Sequence, residues 1–199
     1  MNQSRDHDRL FKLVLTGLMA ALCYVSFTFL KIPIPVPTGQ GYTALHIGNA
    51  FCVLAALIMG GFYGGLAGSI GMTVSDLMDP VYVVSAPKTF VLKFLIGWIA
   101  GFVAHRCGHI TEDHDRKYIV KWSFLASAAG LLFNVIADPV VGYLYKRYLL
   151  GVNAKASGIM ASIEAGVTFI NALAGIAVTV AVYSALRPVL KKAGLLFHI

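Results

Sequence analysis

Charge is what this sequence has least of. Only 13% of its 199 residues are Asp, Glu, Lys or Arg, against about a quarter in a soluble domain, while 58% are hydrophobic and the mean hydropathy is +0.75. Such a chain belongs in a lipid bilayer. At about 20 residues per crossing it has room for five to seven helices and for no separate soluble catalytic or ATP-binding domain. Cysteine is also sparse. Cys23, Cys52 and Cys107 are widely spaced, form no CxxC and have no histidine at metal-ligand spacing, so they read as packing residues. HExxH, GxSxG and the Walker lysine motif are absent. No small-residue cleavage site follows the first apolar run, which predicts that the first helix is retained rather than removed as a signal peptide.

What is there is a series of apolar segments. Residues 1–199 read as a single all-α membrane domain of six helices, at about 10–30, 45–60, 64–79, 87–105, 119–149 and 158–187. Lys31 to Gly41, with prolines at 33, 35 and 37, reads as an extended loop, because proline fixes φ and removes donors. The glycines around Gly60–Gly65 split an apolar stretch too long for one crossing. Asp138-Pro139 predicts a kink in the fifth helix. With both termini inside, ten of the sixteen basic residues are cytoplasmic: Arg5, Arg9, Lys12, Arg106, Arg116, Lys117, Lys121, Arg187, Lys191 and Lys192. Six face outward: Lys31, Lys88, Lys93, Lys146, Arg147 and Lys155. This bias favours an N-in, C-in topology and makes the +7 charge a topology signal rather than a nucleic-acid surface.

The few ionisable groups inside helices need partners or a polar cavity. In the N-in arrangement Asp76 and Asp79 end the third helix outside, Lys88 and Lys93 open the fourth, Asp138 lies in the outer part of the fifth, Glu164 starts the sixth, and His46 and Asn49 begin the second. They converge on one outward-facing site. Asn134 with Asp138, and Glu164 with Asn171, each share a helix face, as ligand contacts or as a clamp between helices. Asp79-Pro80 equally suits a helix terminator, Lys88 an interfacial snorkeller, and His46 a loop anchor. Tyr42, Tyr82, Trp98, Tyr143 and Tyr145 supply aromatic surface, with Tyr42 and Tyr82 in irregular segments beside the polar cluster; the interfacial belt is the other reading of membrane tyrosines. Gly17 with Ala21, and Thr16 with Ala20, form overlapping small-xxx-small steps that permit close helix approach. Asp76-x-x-Asp79 resembles the start of an acidic metal motif but lacks the further carboxylates such sites need. A metal-dependent membrane enzyme on Asp76, Asp79 and Asp138 is the reading from another class, and a stand-alone carrier or channel is a third.

Six helices, the Gly17-xxx-Ala21 step, Tyr42-Thr-Ala-Leu-His46-Ile-Gly48-Asn49-Ala50, Met59-Gly60-Gly61-Phe62-Tyr63-Gly64-Gly65 running on to Asp76, and Ala86-Pro87-Lys88-Thr89 with Lys93 and Gly97 together resemble the S component of an energy-coupling factor (ECF) vitamin transporter. The likeness covers about residues 10–187 and is nearest the riboflavin, pyridoxine and hydroxymethylpyrimidine branch. It implies a binding subunit in the cell membrane, without cofactor or catalysis, that takes a water-soluble vitamin from the extracellular side. It further implies docking through the first helix, at Gly17 and Ala21, onto a transmembrane coupling protein joined to two cytoplasmic ATPases. Asn49 stands where such proteins commonly have an acid. Tyr42, His46, Asn49, Asp76, Tyr82, Lys93, Asn134, Asp138, Glu164 and Asn171 are the expected substrate-binding residues. They suit a flat heteroaromatic ring such as pyridoxine or hydroxymethylpyrimidine, with riboflavin as the alternative.

Overall fold

A computed structural model describes residues 3–36, 42–194 and 196, with side chains from residue 9 onward. Six α-helices and one two-stranded sheet follow in the order α1 (Gln3–Thr28), β1 (Lys31–Pro35), β2 (Tyr42–His46), α2 (Gly48–Met59), α3 (Gly61–Met78), α4 (Ala86–Phe102), α5 (Arg116–Leu144) and α6 (Ala154–Lys192). A 3-10 turn, Val83–Ser85, leads into α4, and π-turns extend α4 over Val103–Cys107 and α5 over Tyr145–Leu149. The fold is all-α apart from the hairpin. Four segments, Arg9–Thr28, Val83–Cys107, Arg116–Leu149 and Ala154–Lys192, are long and apolar enough to cross a membrane.

The short α2 is the core of the bundle. Of its twelve residues all but Phe51 are buried, so this apolar helix, shorter than a usual crossing of about 20 residues, is enclosed by its neighbours. Gly60, at φ 90°, turns the chain from α2 into α3, a backbone conformation open to glycine and strained for other residues. The glycines beyond it form a seam. A Cβ on Gly97 would lie 2.4 Å from the Gly65 nitrogen, and one on Gly101 would lie 2.2 Å from the Gly61 nitrogen. Gly61 and Gly65 on α3 therefore face Gly97 and Gly101 on α4, backbone against backbone, as small residues four apart allow in membranes. Gly64 meets the Ala56 backbone of α2 in the same way, and Gly68 leaves room for the Cys52 side chain. The run expected to break a helix is thus also a close-packing surface of the fold.

Several expected boundaries move. Lys31–Pro35 and Tyr42–His46 pair antiparallel, with Lys31 opposite His46 and Pro35 opposite Tyr42, so the expected loop is a hairpin; its Pro37–Gly41 portion lies outside the described residues, as do Met1 and Asn2, and the Arg5 side chain is likewise not described. The prolines fit because alternate amides of a strand point away from its partner. Pro33 and Pro35 oppose Ala44 and Tyr42, whose carbonyls point outward to other elements. Leu45 and His46 consequently lie in a strand, and α2 starts at Gly48 rather than 45. α6 starts at Ala154 instead of 158, because the Asn153 side chain accepts the Ala156 amide at 2.8 Å and caps it. Glu164 therefore lies inside the helix, not at its start. α5 runs through Pro139.

The two ends of the bundle differ in chemistry. At one end the Lys12 ammonium lies over the Tyr63 ring, His105 Nε2 meets the Ala56 carbonyl, Arg187 donates to the Ile110 and Glu112 carbonyls, and Lys191 pairs with Asp113. The start of α1 and the end of α6 share this end. The hairpin, the α3–α4 connection and the α5–α6 connection gather at the other.

Candidate functional site

A cavity of about 310 Å³ opens between the hairpin and the helix ends at that second end, within the roughly 300–1,000 Å³ usual for small-ligand sites. Its roof is a clasp. The Tyr42 hydroxyl donates to Asp79 Oδ2 at 2.6 Å, Lys31 reaches the same oxygen at 3.3 Å and the Tyr42 hydroxyl at 3.2 Å, and the Tyr82 hydroxyl donates to the Tyr42 carbonyl. The Tyr42 and Tyr82 rings meet edge to face at 5.1 Å, with the Lys31 ammonium over both. Asp79 thus does two things: it ends α3, and it ties the hairpin to the α3–α4 connection. Although burial raises the Asp79 pKa, hydrogen bonds from Tyr42, the Val81 amide and Lys31 bring it below the usual carboxylate range.

The outward edge of β2 is anchored on α6. Asn171 Oδ1 accepts the His46 amide at 3.0 Å and its Nδ2 donates to the Ala44 carbonyl at 3.0 Å, so one side-chain amide substitutes for a neighbouring strand. His46 lines the cavity with its ring edge-to-face on Phe27 at 4.6 Å, and its buried Nδ1 has no hydrogen-bond partner. Burial, then the Lys93 charge, lowers its pKa to about 3, so the imidazole is neutral at physiological pH.

One wall is ionic. Lys88 donates to Asp138 Oδ1 at 2.9 Å, Thr168 bonds Oδ2 at 3.4 Å, and Lys146 pairs with Glu164 Oε1. The wall joins α4, α5 and α6. It closes on Gly142, where an added Cβ would stand 2.9 Å from Glu164 Oε2 and 3.5 Å from Lys88 Nζ. The floor is Asp76, Thr89 and Lys93, all buried. Thr89 and Lys93 are one turn apart on α4, and α4 reaches Asp76 because the glycine seam holds it against α3.

Eight of the ten expected residues line this one cavity: Tyr42, His46, Asp76, Tyr82, Lys93, Asp138, Glu164 and Asn171. Asn49 and Asn134 are buried and stand off the lining. Trp98 is 47% exposed on the outside of the bundle, Tyr143 is also off the lining, and the Tyr145 hydroxyl donates to the Val84 carbonyl at 2.6 Å. Lys88 is no interfacial snorkeller: its side chain is 12% exposed and ion-paired. Thr89, Lys146, Thr168 and Phe27 join the lining without having been expected there. Lys146 lies eight residues after Asp138, a spacing that returns to the same helix face; Phe27 carries no such signal. Among the described residues no group of three or more His, Cys, Asp and Glu side chains converges as a metal site. Asp79 turns to Lys31 and Tyr42 in the clasp and is absent from the cavity lining that holds Asp76 and Asp138.

The α1 helix divides its small residues between two faces. Thr16 and Ala20 are buried, the latter's carbonyl 2.2 Å from where a Gly71 Cβ would sit. Gly17 and Ala21 face outward, beside exposed Leu13, Val14, Leu18 and Leu22, and nothing lies within 4 Å of a Cβ placed on Gly17.

Residues 9–188 match the family described as ECF-type riboflavin transporter, S component. Over 78 residues the chain is 35% identical to a Pyrococcus woesei protein titled only "Uncharacterized protein in gap 3'region", which covers 39% of this chain and 50% of that protein. The chain therefore spans about half the length of that curated relative.

Proposed function

Since this chain belongs to the family of ECF-type riboflavin transporter S components, which bind a vitamin and work with a membrane coupling protein and ATPases, we propose that its cavity captures a water-soluble vitamin from the extracellular side of the cell membrane. In this reading the six helices sit with both termini inside, the nine basic residues from Arg9 to Lys192 on the α1-start end facing the cytoplasm and the cavity facing out. Tyr42, His46, Asp76, Tyr82, Lys93, Asp138, Glu164 and Asn171 form the binding surface, with Asn49 and Asn134 supporting it from behind. The exposed Gly17–Ala21 face of α1 docks the transmembrane coupling protein, which carries two cytoplasmic ATPases. ATP hydrolysis belongs to those partners.

The observation that carries the reading is a polar, ring-bordered cavity under a hairpin clasp in a chain of this family. The substrate we assign is a single-ring heteroaromatic vitamin of the pyridoxine or hydroxymethylpyrimidine kind. A cavity of about 310 Å³ sits at the small end of the usual range, and hydroxymethyl and amino substituents match its many donors and acceptors. The family description names riboflavin, which makes that vitamin the second reading. Mass spectrometry of small molecules released from detergent-purified protein saturated with a vitamin mixture tests both. Recovery of a pyridoxine-type or hydroxymethylpyrimidine-type ligand is expected; a bound flavin shifts the assignment to the second reading. Retention of no vitamin refutes the capture role.

A further inference from the structure

The charges around the cavity do not all pair with one another. Lys31 is held by Asp79, Lys88 by Asp138 and Lys146 by Glu164. Lys93 and Asp76 remain. Both line the cavity, at 6% and 2% exposure, and neither takes part in an ion pair among the described residues. The Lys93 ammonium has no hydrogen-bond acceptor among them either, and the Asp76 carboxylate lies beside the Thr89 hydroxyl; the Lys88 and Asp138 charges are near the two as well, already paired with each other.

Burying an ammonium and a carboxylate side by side without joining them is expensive unless something else completes them. The two come from different helices, α4 and α3, whose backbones the glycine seam holds in contact. Opposite charges held apart across one floor are complementary to a group with its own separated charges of the reverse order.

Resting on the vitamin-capture reading, we propose that Asp76 and Lys93 are a bipolar seat for a dipolar ring edge, with a cationic or N–H-bearing ring nitrogen toward Asp76 and an anionic ring oxygen toward Lys93. A hydroxypyridine has this form at neutral pH, as pyridinium and phenolate on one ring. A ring of the same shape without the phenolate offers Lys93 only a neutral acceptor. The seat therefore selects for protonation state as well as for size, and within the single-ring class it favours hydroxypyridines over uncharged pyrimidines.

Isothermal titration of the detergent-purified full chain at neutral pH, using pyridoxine and 3-O-methylpyridoxine, tests this. Methylation removes the phenolate and, because the ring nitrogen of the ether is largely unprotonated at neutral pH, the pyridinium proton with it, so the ether keeps the shape of the ring without its dipole. Pyridoxine should bind wild type about tenfold or more tighter than its methyl ether, the scale of one charge-assisted hydrogen bond. Lys93→Met should weaken pyridoxine more than its methyl ether and so narrow the preference. Asp76→Asn should likewise weaken pyridoxine more than the ether, since only pyridoxine presents a ring N–H to this carboxylate at neutral pH. The wild-type comparison involves no mutation, so misfolding of a variant leaves it intact. Equal affinity of wild type for the two ligands, or unchanged discrimination in folded Lys93→Met, overturns the seat and leaves vitamin capture standing. Failure of pyridoxine, hydroxymethylpyrimidine and riboflavin alike to bind overturns both.

Discussion

Replacing Asn171 by alanine should free the hairpin without unfolding the bundle. The side-chain amide makes two bonds to β2, from the His46 amide and to the Ala44 carbonyl, each 3.0 Å. Both backbone groups point away from β1, so β1 cannot take them over. At about 1 kcal/mol for each bond, the loss is about 2 kcal/mol of hairpin docking. Converted at about 1.4 kcal/mol per tenfold, that is roughly a thirtyfold larger open population. Hydrogen exchange with fragmentation fine enough to isolate the His46 amide reads this directly. Amides in α2, one residue beyond the hairpin and buried at the core, should keep wild-type protection. Asn171→Asp should be worse than alanine, because it retains the acceptor for His46 but sets a carboxylate oxygen against the Ala44 carbonyl. Unchanged exchange at His46 in Asn171→Ala would refute the anchoring role; loss of protection throughout α2 would show a core residue instead of a hairpin anchor.

Gly101→Ala should cost more than a methyl group normally does, because its Cβ meets the Gly61 backbone nitrogen at 2.2 Å with no flexible side chain to yield; about 3 kcal/mol or more of destabilisation should appear as a lower thermal midpoint in detergent, and an unchanged midpoint would dissolve the seam. Gly17→Leu, placed where nothing lies within 4 Å, should leave that midpoint and vitamin affinity at wild-type values while abolishing co-purification with the coupling protein; retained co-purification removes α1 from the docking surface. His46, neutral when folded because its pKa is lowered to about 3, takes up a proton on unfolding once the pH drops below about 6.5. Folded stability should therefore decline as pH falls from 6.5 toward 4, and His46→Gln should flatten that decline; an identical pH profile in the variant would place the ring in water.

The helices and the site were unequally legible. Long apolar runs are decisive because a bilayer leaves backbone groups no partner outside a helix, and every expected helix has a counterpart, though α1 begins seven residues before the expected position 10 and α6 runs five beyond 187. The hairpin was hidden because proline argues against strands in general, whereas Pro33 and Pro35 occupy the alternate positions whose amides face away from β2. The polar residues could be assigned to one end of the bundle by counting crossings, which brought eight of them to the cavity. Counting could not give rotation about a helix axis, and so it admitted Trp98 and Asn134 and treated Lys88 as interfacial.

Sequence alone determined the solvent, the all-α class and the end of the molecule that holds the polar minority, since each follows from composition and from order along the chain. Tertiary structure alone decided which charges meet. Lys88 finds Asp138 fifty residues away and Lys146 finds Glu164, while Lys93 and Asp76 stay apart. Those outcomes depend on how α4 sits against its neighbours: backbone contact at Gly61, Gly65, Gly97 and Gly101 holds it on α3, and Gly130 of α5 packs on its Ile96 and Ala100. Hydropathy records how strongly a segment prefers lipid; it carries no record of the angle at which one helix meets the next.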